Sequence, residues 1–241
     1  MKIIVAENYD ELSFQAGEII KNQVASKPDS VLGLATGSSP IGTYKHIVSE
    51  YNNGKVSFAK VKSANLDEYV GISPEHDQSY YFFMLDNLFS KVDIDLANTY
   101  IPNGLNADTD AECERYDAVI DSLGGVDLQL LGIGGNGHIG FNEPADCFSK
   151  GTNCVTLHNS TIEANSRFFP SKADVPTRAF SMGIGTIMKA KKILLVASGK
   201  DKAAAILGLV KGDIRPDMPA SILQYHPDVT VVCDKDAASL L

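Results

Sequence analysis

Short apolar runs alternate along the chain with segments whose apolar residues recur at helical spacing. Runs such as LQLLGIG and ILLVAS are apolar throughout, which is typical of parallel strands covered on both faces. Helical spacing is clear over residues 12–24 and 203–210. The alternation predicts βαβ units in an α/β fold. We expect a doubly wound, mostly parallel sheet with helices on both faces, a modified Rossmann-like arrangement. The predicted strands are residues 2–6, 31–35, 61–66, 99–102, 127–132, 154–158, 178–182, 192–198 and 229–233.

Length and composition limit the number of domains and the class of partner. The 241 residues contain no repeat, low-complexity tract or clear linker, so we expect one domain over residues 1–241. The net charge is −9 with no basic face, which argues against a nucleic-acid partner.

The targeting and cysteine patterns predict the compartment. No apolar run reaches about 18 residues, and the N-terminus MKIIVAENYDEL soon meets acidic residues, so neither a membrane span nor a signal peptide is expected. The four cysteines form no C-x-x-C pair, which fits a reducing cytosol. We expect a cytoplasmic protein.

In open α/β sheets, ligands bind beyond the carboxyl ends of the strands. The first such end is LGLATGSSPIGTY, where a predicted strand gives way to a turn and Pro40 suits the start of a helix. A helix N-terminus binds anions through free N–H groups and its dipole, although a plain capped turn explains the pattern as well. The turn is neither a Walker A loop nor G-x-G-x-x-G. Its four small residues are Thr36, Gly37, Ser38 and Ser39.

Two carboxylates follow the next predicted strand. Asp67 and Glu68 come directly after Leu66, where a carboxylate beside a crevice can act as a general base. A surface pair or a helix N-cap is the alternative interpretation. The aromatic run at residues 80–83 is expected to belong to a helix core.

The segment GIGGNGHIGFNE at residues 132–143 is the most informative of these strand ends. Its five glycines are costly in chain entropy, a cost that makes sense where backbone passes close to a ligand. Among them stand Asn136, His138, Asn142 and Glu143. His138 can take and return a proton near neutral pH, and Glu143 can orient its ring. A structural histidine in a turn is the alternative, and the glycine density favours function.

Two cations complete the candidates. Arg167 lies in STIEANSRFF, and Lys202 lies in SGKDKAAAI just after a predicted strand. Each is either a phosphate ligand or a solvated surface charge. The sequence has no G-x-S-x-G elbow, and nothing in it argues for a metal or a nicotinamide.

Taken in order, these segments resemble the glucosamine-6-phosphate deaminase family across nearly the whole chain. The matching segments are LATGSSPIGTY, NLDEYVG, HDQSYYFFM, GIGGNGHIGFNEP, ANSRFF and ASGKDKA. The resemblance implies conversion of D-glucosamine 6-phosphate and water into D-fructose 6-phosphate and ammonia, in the catabolism of N-acetylglucosamine. It implies no cofactor and no metal.

The resemblance also implies residue roles. Asp67 matches the base for enolisation, which takes the C2 proton and delivers it to C1. His138 matches the residue that opens the pyranose ring, with Glu143 as its carboxylate partner, and Asn136 completes the catalytic set. The matching phosphate-binding set is Thr36, Gly37, Ser38, Ser39, Arg167 and Lys202.

The chain departs from the family pattern in two respects. Many relatives carry Asp where this chain has Asn136, whose amide can orient His138 but holds no charge, so His138 is expected to depend on Glu143. Relatives activated by N-acetylglucosamine 6-phosphate are longer and carry basic residues after the Glu143 loop, where this chain has only Lys150. We expect a monomer with hyperbolic kinetics and no allosteric activator site.

Two other functions remain open at this level. A 6-phosphogluconolactonase has a related fold and would also need a glycine-rich strand end and a phosphate loop; residues 67–69 and 141–144 favour the deaminase. A non-catalytic sugar-phosphate sensor would usually carry a helix-turn-helix segment, for which the start of the first strand at Lys2 leaves no room.

Overall fold

The computed structural model describes residues 1–158, 161–163, 166, 169 and 171–241. The strands are β1 Lys2–Ala6, β2 Val31–Leu34, β3 Lys62–Asn65, β4 Asp67–Tyr69, β5 Thr99–Tyr100, β6 Leu128–Leu131, β7 Asn153–Thr156, β8 Arg178–Ser181, β9 Ile193–Ala197 and β10 Val229–Asp234. The α-helices are α1 Tyr9–Ser26, α2 Ile41–Asn52, α3 Tyr80–Asn87, α4 Thr109–Ser122, α5 Ile184–Ile187 and α6 Ala203–Lys211. Short 3₁₀ turns lie at Phe89–Lys91, Leu96–Asn98, Lys172–Asp174, Lys200–Lys202 and Pro219–Tyr225.

Seven strands form one sheet in the order β1-β10-β9-β6-β2-β3-β5 in the part of the chain that is described. Every pairing within this sheet is parallel. On one side of the sheet's centre, the strands β2, β3 and β5 follow one another in chain order. On the other side, β6, β9 and β10 follow one another in chain order. The order therefore reverses between β2 and β6, and a doubly wound sheet opens a ligand crevice at such a point. The predicted fold class is confirmed.

The apolar pattern identified the centre of this sheet. All residues of β6 and β9 are buried, as expected for strands covered on both faces. Helix α1 buries Leu12, Ala16, Ile20 and Val24 of the apolar stripe predicted over residues 12–24, and Ile19 of that stripe is partly buried. Its N-terminus is capped by Asn8, whose side chain accepts a hydrogen bond from the Glu11 N–H at 3.0 Å. Among the described helices, none is long and apolar enough to cross a membrane.

A second, smaller sheet has the order β4-β8-β7 and is antiparallel. Two of the predicted strands, at 154–158 and 178–182, belong to it and not to the parallel sheet. Its remaining strand, β4, begins two residues after the end of β3. The intervening Leu66 donates its N–H to the Leu34 carbonyl at 2.9 Å and accepts from the Met182 N–H at 2.7 Å. The backbone just before Asp67 is thus bonded to a strand of the parallel sheet and to the residue following β8.

Candidate active site

A cavity of about 480 Å³ opens where the order of the parallel sheet reverses. The segments that follow β2, β3 and β6 line it, together with the start of α3 and the turn before α6. Of the residues singled out in the sequence, the following line the cavity: Thr36, Gly37, Ser38, Ser39, Asp67, Asn136, His138 and Lys202. Glu143 contacts His138 from outside the lining. Arg167 lies outside the described residues.

The small residues after β2 form a turn whose shape depends on Gly37 and Tyr9. Gly37 has a φ of +86°, a left-handed conformation that favours glycine. The Tyr9 hydroxyl lies 3.0 Å from the Ser38 carbonyl oxygen and accepts the Gly42 N–H at 2.9 Å. Helix α2 begins directly after Pro40, whose side chain offers no capping hydrogen bond. The turn therefore places hydroxyls and the positive end of α2 at the cavity, where an anion is stabilised.

Lys202 brings a positive charge to the same cavity. It ends the 3₁₀ turn Lys200–Lys202 and directly precedes α6. Its ammonium lies 3.0 Å from the carboxylate of Asp201, whose side chain is 72% exposed. Because an exposed ion pair is weak, a ligand phosphate can compete for this ammonium.

Asp67 is the first residue of β4 and is only 6% exposed. Its Oδ1 atom accepts no hydrogen bond from the described protein groups. Burial, reinforced by the negative charge of Glu68, raises the pKa of Asp67 to about 8, against a hydrogen bond from Thr36 that lowers it. Asp67 lines the cavity as a carboxyl group with one buried, unpaired oxygen and a high proton affinity, which suits proton transfer near neutral pH.

Glu68, the residue after Asp67, has a structural role. Its carboxylate accepts the N–H groups of Tyr69 at 2.8 Å, Tyr80 at 3.0 Å and Tyr81 at 3.0 Å, so it holds the N-terminus of α3. Burial raises the pKa of Glu68 to about 7, and these three hydrogen bonds oppose the rise. The interpretation of Asp67 and Glu68 as a surface pair is wrong, because the β4 backbone turns both inward.

The loop after β6 brings His138 to the cavity by folding tightly on itself. The Gly134 N–H donates to the His138 carbonyl at 2.9 Å. The imidazole lies against the Gly134 backbone so closely that a Cβ there would overlap the ring. Gly137 has a φ of +85°. These two positions explain why glycine is needed around the histidine.

Glu143 contacts three side chains, which are those of His138, Asn136 and Thr161. Its Oε2 lies 3.3 Å from Nδ1 of His138 and accepts the Asn136 side-chain amide at 2.7 Å, and its Oε1 accepts the Thr161 hydroxyl at 2.8 Å. Burial raises the pKa of Glu143, but the close approach and charge of His138, with the hydrogen bonds from Asn136 and Thr161, lower it to about 2. An ionised carboxylate therefore faces the imidazole.

Asn136 acts on the backbone and not on the imidazole. Its Oδ1 accepts the His138 backbone N–H at 3.2 Å, while its amide nitrogen binds Glu143. Asn142, also noted in the sequence, is buried and holds the loop in place. Its amide donates to the carbonyls of Ile139 at 2.9 Å and Met182 at 2.8 Å.

Sequence reasoning missed two residues of the cavity wall, Tyr80 and Thr161. The expectation that the aromatic run belongs to a helix core is wrong for Phe82, which is 39% exposed, and it missed that Tyr80 lines the cavity while its ring stacks on Phe141 at 6.1 Å between centroids. The Tyr69 ring packs on the Tyr80 ring, with 4.8 Å between the centroids. The signal that could have found Tyr80 is its place at the first turn of a helix anchored by Glu68. Thr161 has no comparable sequence signal.

One cluster of metal-ligating side chains lies away from this cavity. Glu18, His46 and Glu50 each place one ligand atom within 4.8 Å of the others. Lys21 already lies 2.5 Å from Glu18 and 3.0 Å from Glu50, so its ammonium pairs with both carboxylates.

The cavity therefore combines a turn suited to an anion, a lysine, a buried carboxyl group of high proton affinity and a histidine beside an ionised glutamate. This set can bind a phosphorylated ligand and move protons on it.

Comparison with known proteins places the chain among close relatives. A family described as glucosamine-6-phosphate isomerases/6-phosphogluconolactonase matches residues 6–232. A glucosamine-6-phosphate deaminase of Clostridium novyi is 56% identical, with all of both chains covered. One of Thermoanaerobacter pseudethanolicus is 52% identical over all of this chain and 95% of its own length.

Solved structures agree at the level of the fold. A monomeric glucosamine-6-phosphate deaminase superposes with a TM-score of 0.97 at 48% identity, with all of both chains covered. A 6-phosphogluconolactonase from Trypanosoma brucei superposes with a TM-score of 0.78 at 20% identity, covering all of this chain and 98% of that one, a likeness of fold alone. The chain belongs to the glucosamine-6-phosphate isomerase and 6-phosphogluconolactonase family, and within it to the glucosamine-6-phosphate deaminases.

Proposed function

We propose that this chain converts D-glucosamine 6-phosphate and water into D-fructose 6-phosphate and ammonia, as a cytoplasmic enzyme of amino-sugar catabolism. The observation that carries the proposal is the placement of Asp67 and His138 on one cavity with an anion-binding turn. The reaction needs two proton transfers on one phosphorylated sugar, one between the anomeric hydroxyl and the ring oxygen and one between C2 and C1, and these two groups match those needs. The relatives at 52% and 56% identity support the choice of substrate.

The first step opens the pyranose ring. His138 moves a proton from the anomeric hydroxyl to the ring oxygen, so the C1–O5 bond breaks and an aldehyde forms at C1. Glu143 stabilises the imidazolium that exists in between. The support for this pairing is the 3.3 Å separation between Nδ1 of His138 and Oε2 of Glu143.

The second step is enolisation, and Asp67 is its base. The Asp67 carboxylate takes the proton from C2 while the aldehyde oxygen takes a proton from the substrate's ammonium group, which gives an enolamine. Asp67 then gives its proton to C1, which leaves a hydroxyl on C1 and a C=N bond at C2. Water adds to this carbon and ammonia departs, giving the ketone of fructose 6-phosphate. No electrons are gained or lost overall, so the reaction needs no redox cofactor.

The phosphate of the substrate binds at the part of the cavity formed by residues 36–39 and Lys202. The turn formed by residues 36–39 supplies hydroxyls and backbone N–H groups, and Lys202 supplies a charge. Arg167, which lies outside the described residues, is proposed as a further phosphate ligand because it matches the family's ANSRFF segment.

The protein is further proposed to act as a monomer without an activator site. A solved relative at 48% identity is described as monomeric, and residues 145–158 contain only one lysine and no arginine. Sedimentation should give a single species of about 26 kDa, the mass of one chain. The rate should rise hyperbolically with substrate, with or without N-acetylglucosamine 6-phosphate. A sigmoidal curve that this compound sharpens would overturn the proposal.

An ammonia-release assay on glucosamine 6-phosphate tests the function itself. The wild type should release ammonia, and Asp67→Asn should release almost none while still binding the substrate. Asp213→Asn is the matched control, because Asp213 is exposed and does not line the cavity. Binding without turnover in the wild type would indicate a sugar-phosphate sensor. Hydrolysis of 6-phosphogluconolactone without ammonia release would indicate a lactonase.

A further inference from the structure

Glu143 is fixed from two different parts of the chain. Its Oε2 faces Asn136 and His138, which belong to its own loop, whereas its Oε1 accepts the hydroxyl of Thr161 at 2.8 Å. The Glu143 side chain is only 8% exposed, so few other donors can replace this hydroxyl. Thr161 supplies the contact to the oxygen that points away from the histidine.

Thr161 lies at the cavity as well as beside Glu143. Residues 161–163 form a helical turn in which the Thr161 N–H donates to the His158 carbonyl at 2.9 Å. Thr161 also lines the substrate cavity. Thr161 therefore forms part of the cavity wall and also contacts the carboxylate of Glu143, which lies behind His138.

We propose that Thr161 is a positioning residue for ring opening, which rests on the function proposed above. A carboxylate can rotate about its last side-chain bond, and the hydroxyl on Oε1 holds it with Oε2 toward His138. A hydrogen bond to a charged group is stronger than one between neutral groups, so its removal loosens the orientation of Glu143 and weakens its support of the imidazolium. Thr161 acts through Glu143 and not on the substrate.

Three variants test this role by ammonia release. Thr161→Val keeps the shape and removes the donor, and kcat should fall by about 10-fold to 100-fold, the loss expected for a hydrogen bond to a charged group, with KM changed by less than about threefold. Thr161→Ser keeps the donor and should restore most of kcat. Thr156→Val is the matched control and should retain full activity, because Thr156 is exposed on β7 and lies outside the cavity lining.

A double-mutant cycle separates positioning from a merely structural effect. In a Glu143→Gln background, Thr161→Val should cost little further activity, since both changes disable one unit. The role is overturned if Thr161→Val keeps wild-type kcat, if Thr161→Ser fails to restore it, or if the loss is equally large without Glu143. Circular dichroism establishes that each variant is folded. A folded wild type that releases no ammonia would overturn the proposed function as well, whereas an active wild type with an unaffected Thr161→Val overturns this role alone.

Discussion

The Nδ1 atom of His138 lies 3.3 Å from Oε2 of Glu143, and the same oxygen accepts the side-chain amide of Asn136 at 2.7 Å. Glu143 is the one negative charge of this triad, because Asn136 contributes an amide. The pKa of Glu143 is lowered to about 2, since the hydrogen bonds and charge around it outweigh its burial. The carboxylate therefore remains ionised throughout the neutral range.

This arrangement predicts unequal effects of two substitutions. Glu143→Gln removes the charge that stabilises a protonated His138, and kcat for ammonia release should fall by about 100-fold or more. Asn136→Ala removes one hydrogen bond to the same oxygen and one to the His138 backbone, and the loss should be about tenfold. Steady-state kinetics of both variants measures these two losses in kcat. Equal, small losses would show that His138 does not depend on the carboxylate.

The pKa of Asp67, raised by burial and by Glu68 to about 8, predicts the pH dependence of the reaction. Asp67, as the proposed base, is active when ionised, so kcat/KM should rise as the pH passes through about 8. Thr36 lowers this pKa by its hydrogen bond, so Thr36→Val should move the rise to higher pH. Thr36→Ser keeps the hydroxyl and should leave the rise in place. Profiles that coincide in all three proteins would assign the titration to another group.

The same carboxyl group predicts a pH dependence of stability. Because the folded pKa of Asp67 lies above its ordinary value of 3.8, its contribution to stability is complete below about pH 4 and is lost as the pH rises through about 8. Asp67→Asn avoids this loss. Its free energy of unfolding in urea, relative to wild type, should therefore increase from pH 5 to pH 8.

The size of this change follows from the pKa difference. Each unit corresponds to about 1.4 kcal/mol, so a gain on the order of 2–4 kcal/mol is expected at pH 8. Asp213→Asn serves as the exposed control and should show no such trend. A difference between Asp67→Asn and wild type that is the same at pH 5 and pH 8 would contradict the raised pKa.

The contact between Gly134 and the His138 ring predicts the effect of a single methyl group. A Cβ at Gly134 would overlap the imidazole, so Gly134→Ala should displace the ring and lower kcat by about 10-fold to 100-fold. Gly132→Ala is the comparison within the same loop, since its Cβ would make ordinary contact with Ser39 at 3.8 Å, and its loss should be far smaller. Thermal unfolding should show both variants folded. Similar kcat values for the two variants would mean that the ring is not positioned by this contact.

The parts of the site that the sequence could predict are those that follow strong strands. The buried runs of β2, β6 and β9 are apolar enough to locate their own carboxyl ends. The turn at residues 36–39, the glycine-rich loop and Lys202 could therefore be assigned to one edge of the sheet, and all line the cavity.

The remaining parts depend on contacts between distant segments. β4 has three residues and pairs with β8, more than 100 positions later, so no local periodicity predicts the burial of Asp67 and Glu68. Glu68 binds the N-terminus of α3 only because β4 turns it inward. Thr161 meets Glu143 across 18 positions with β7 between them in the chain, and no spacing rule covers such a contact.

Leu66 is hydrogen-bonded by its N–H to Leu34 and by its carbonyl to Met182, and the carbonyl of Met182 accepts the side-chain amide of Asn142 from the His138 loop. The same residue after β8 therefore holds both the backbone before Asp67 and the loop that carries His138. Exchanges in the loop that keep Asn142 leave this shared anchor in place, whereas loss of Asn142 would release the loop from it. The junction of the two sheets is the part to keep unchanged when the substrate range of this scaffold is redesigned.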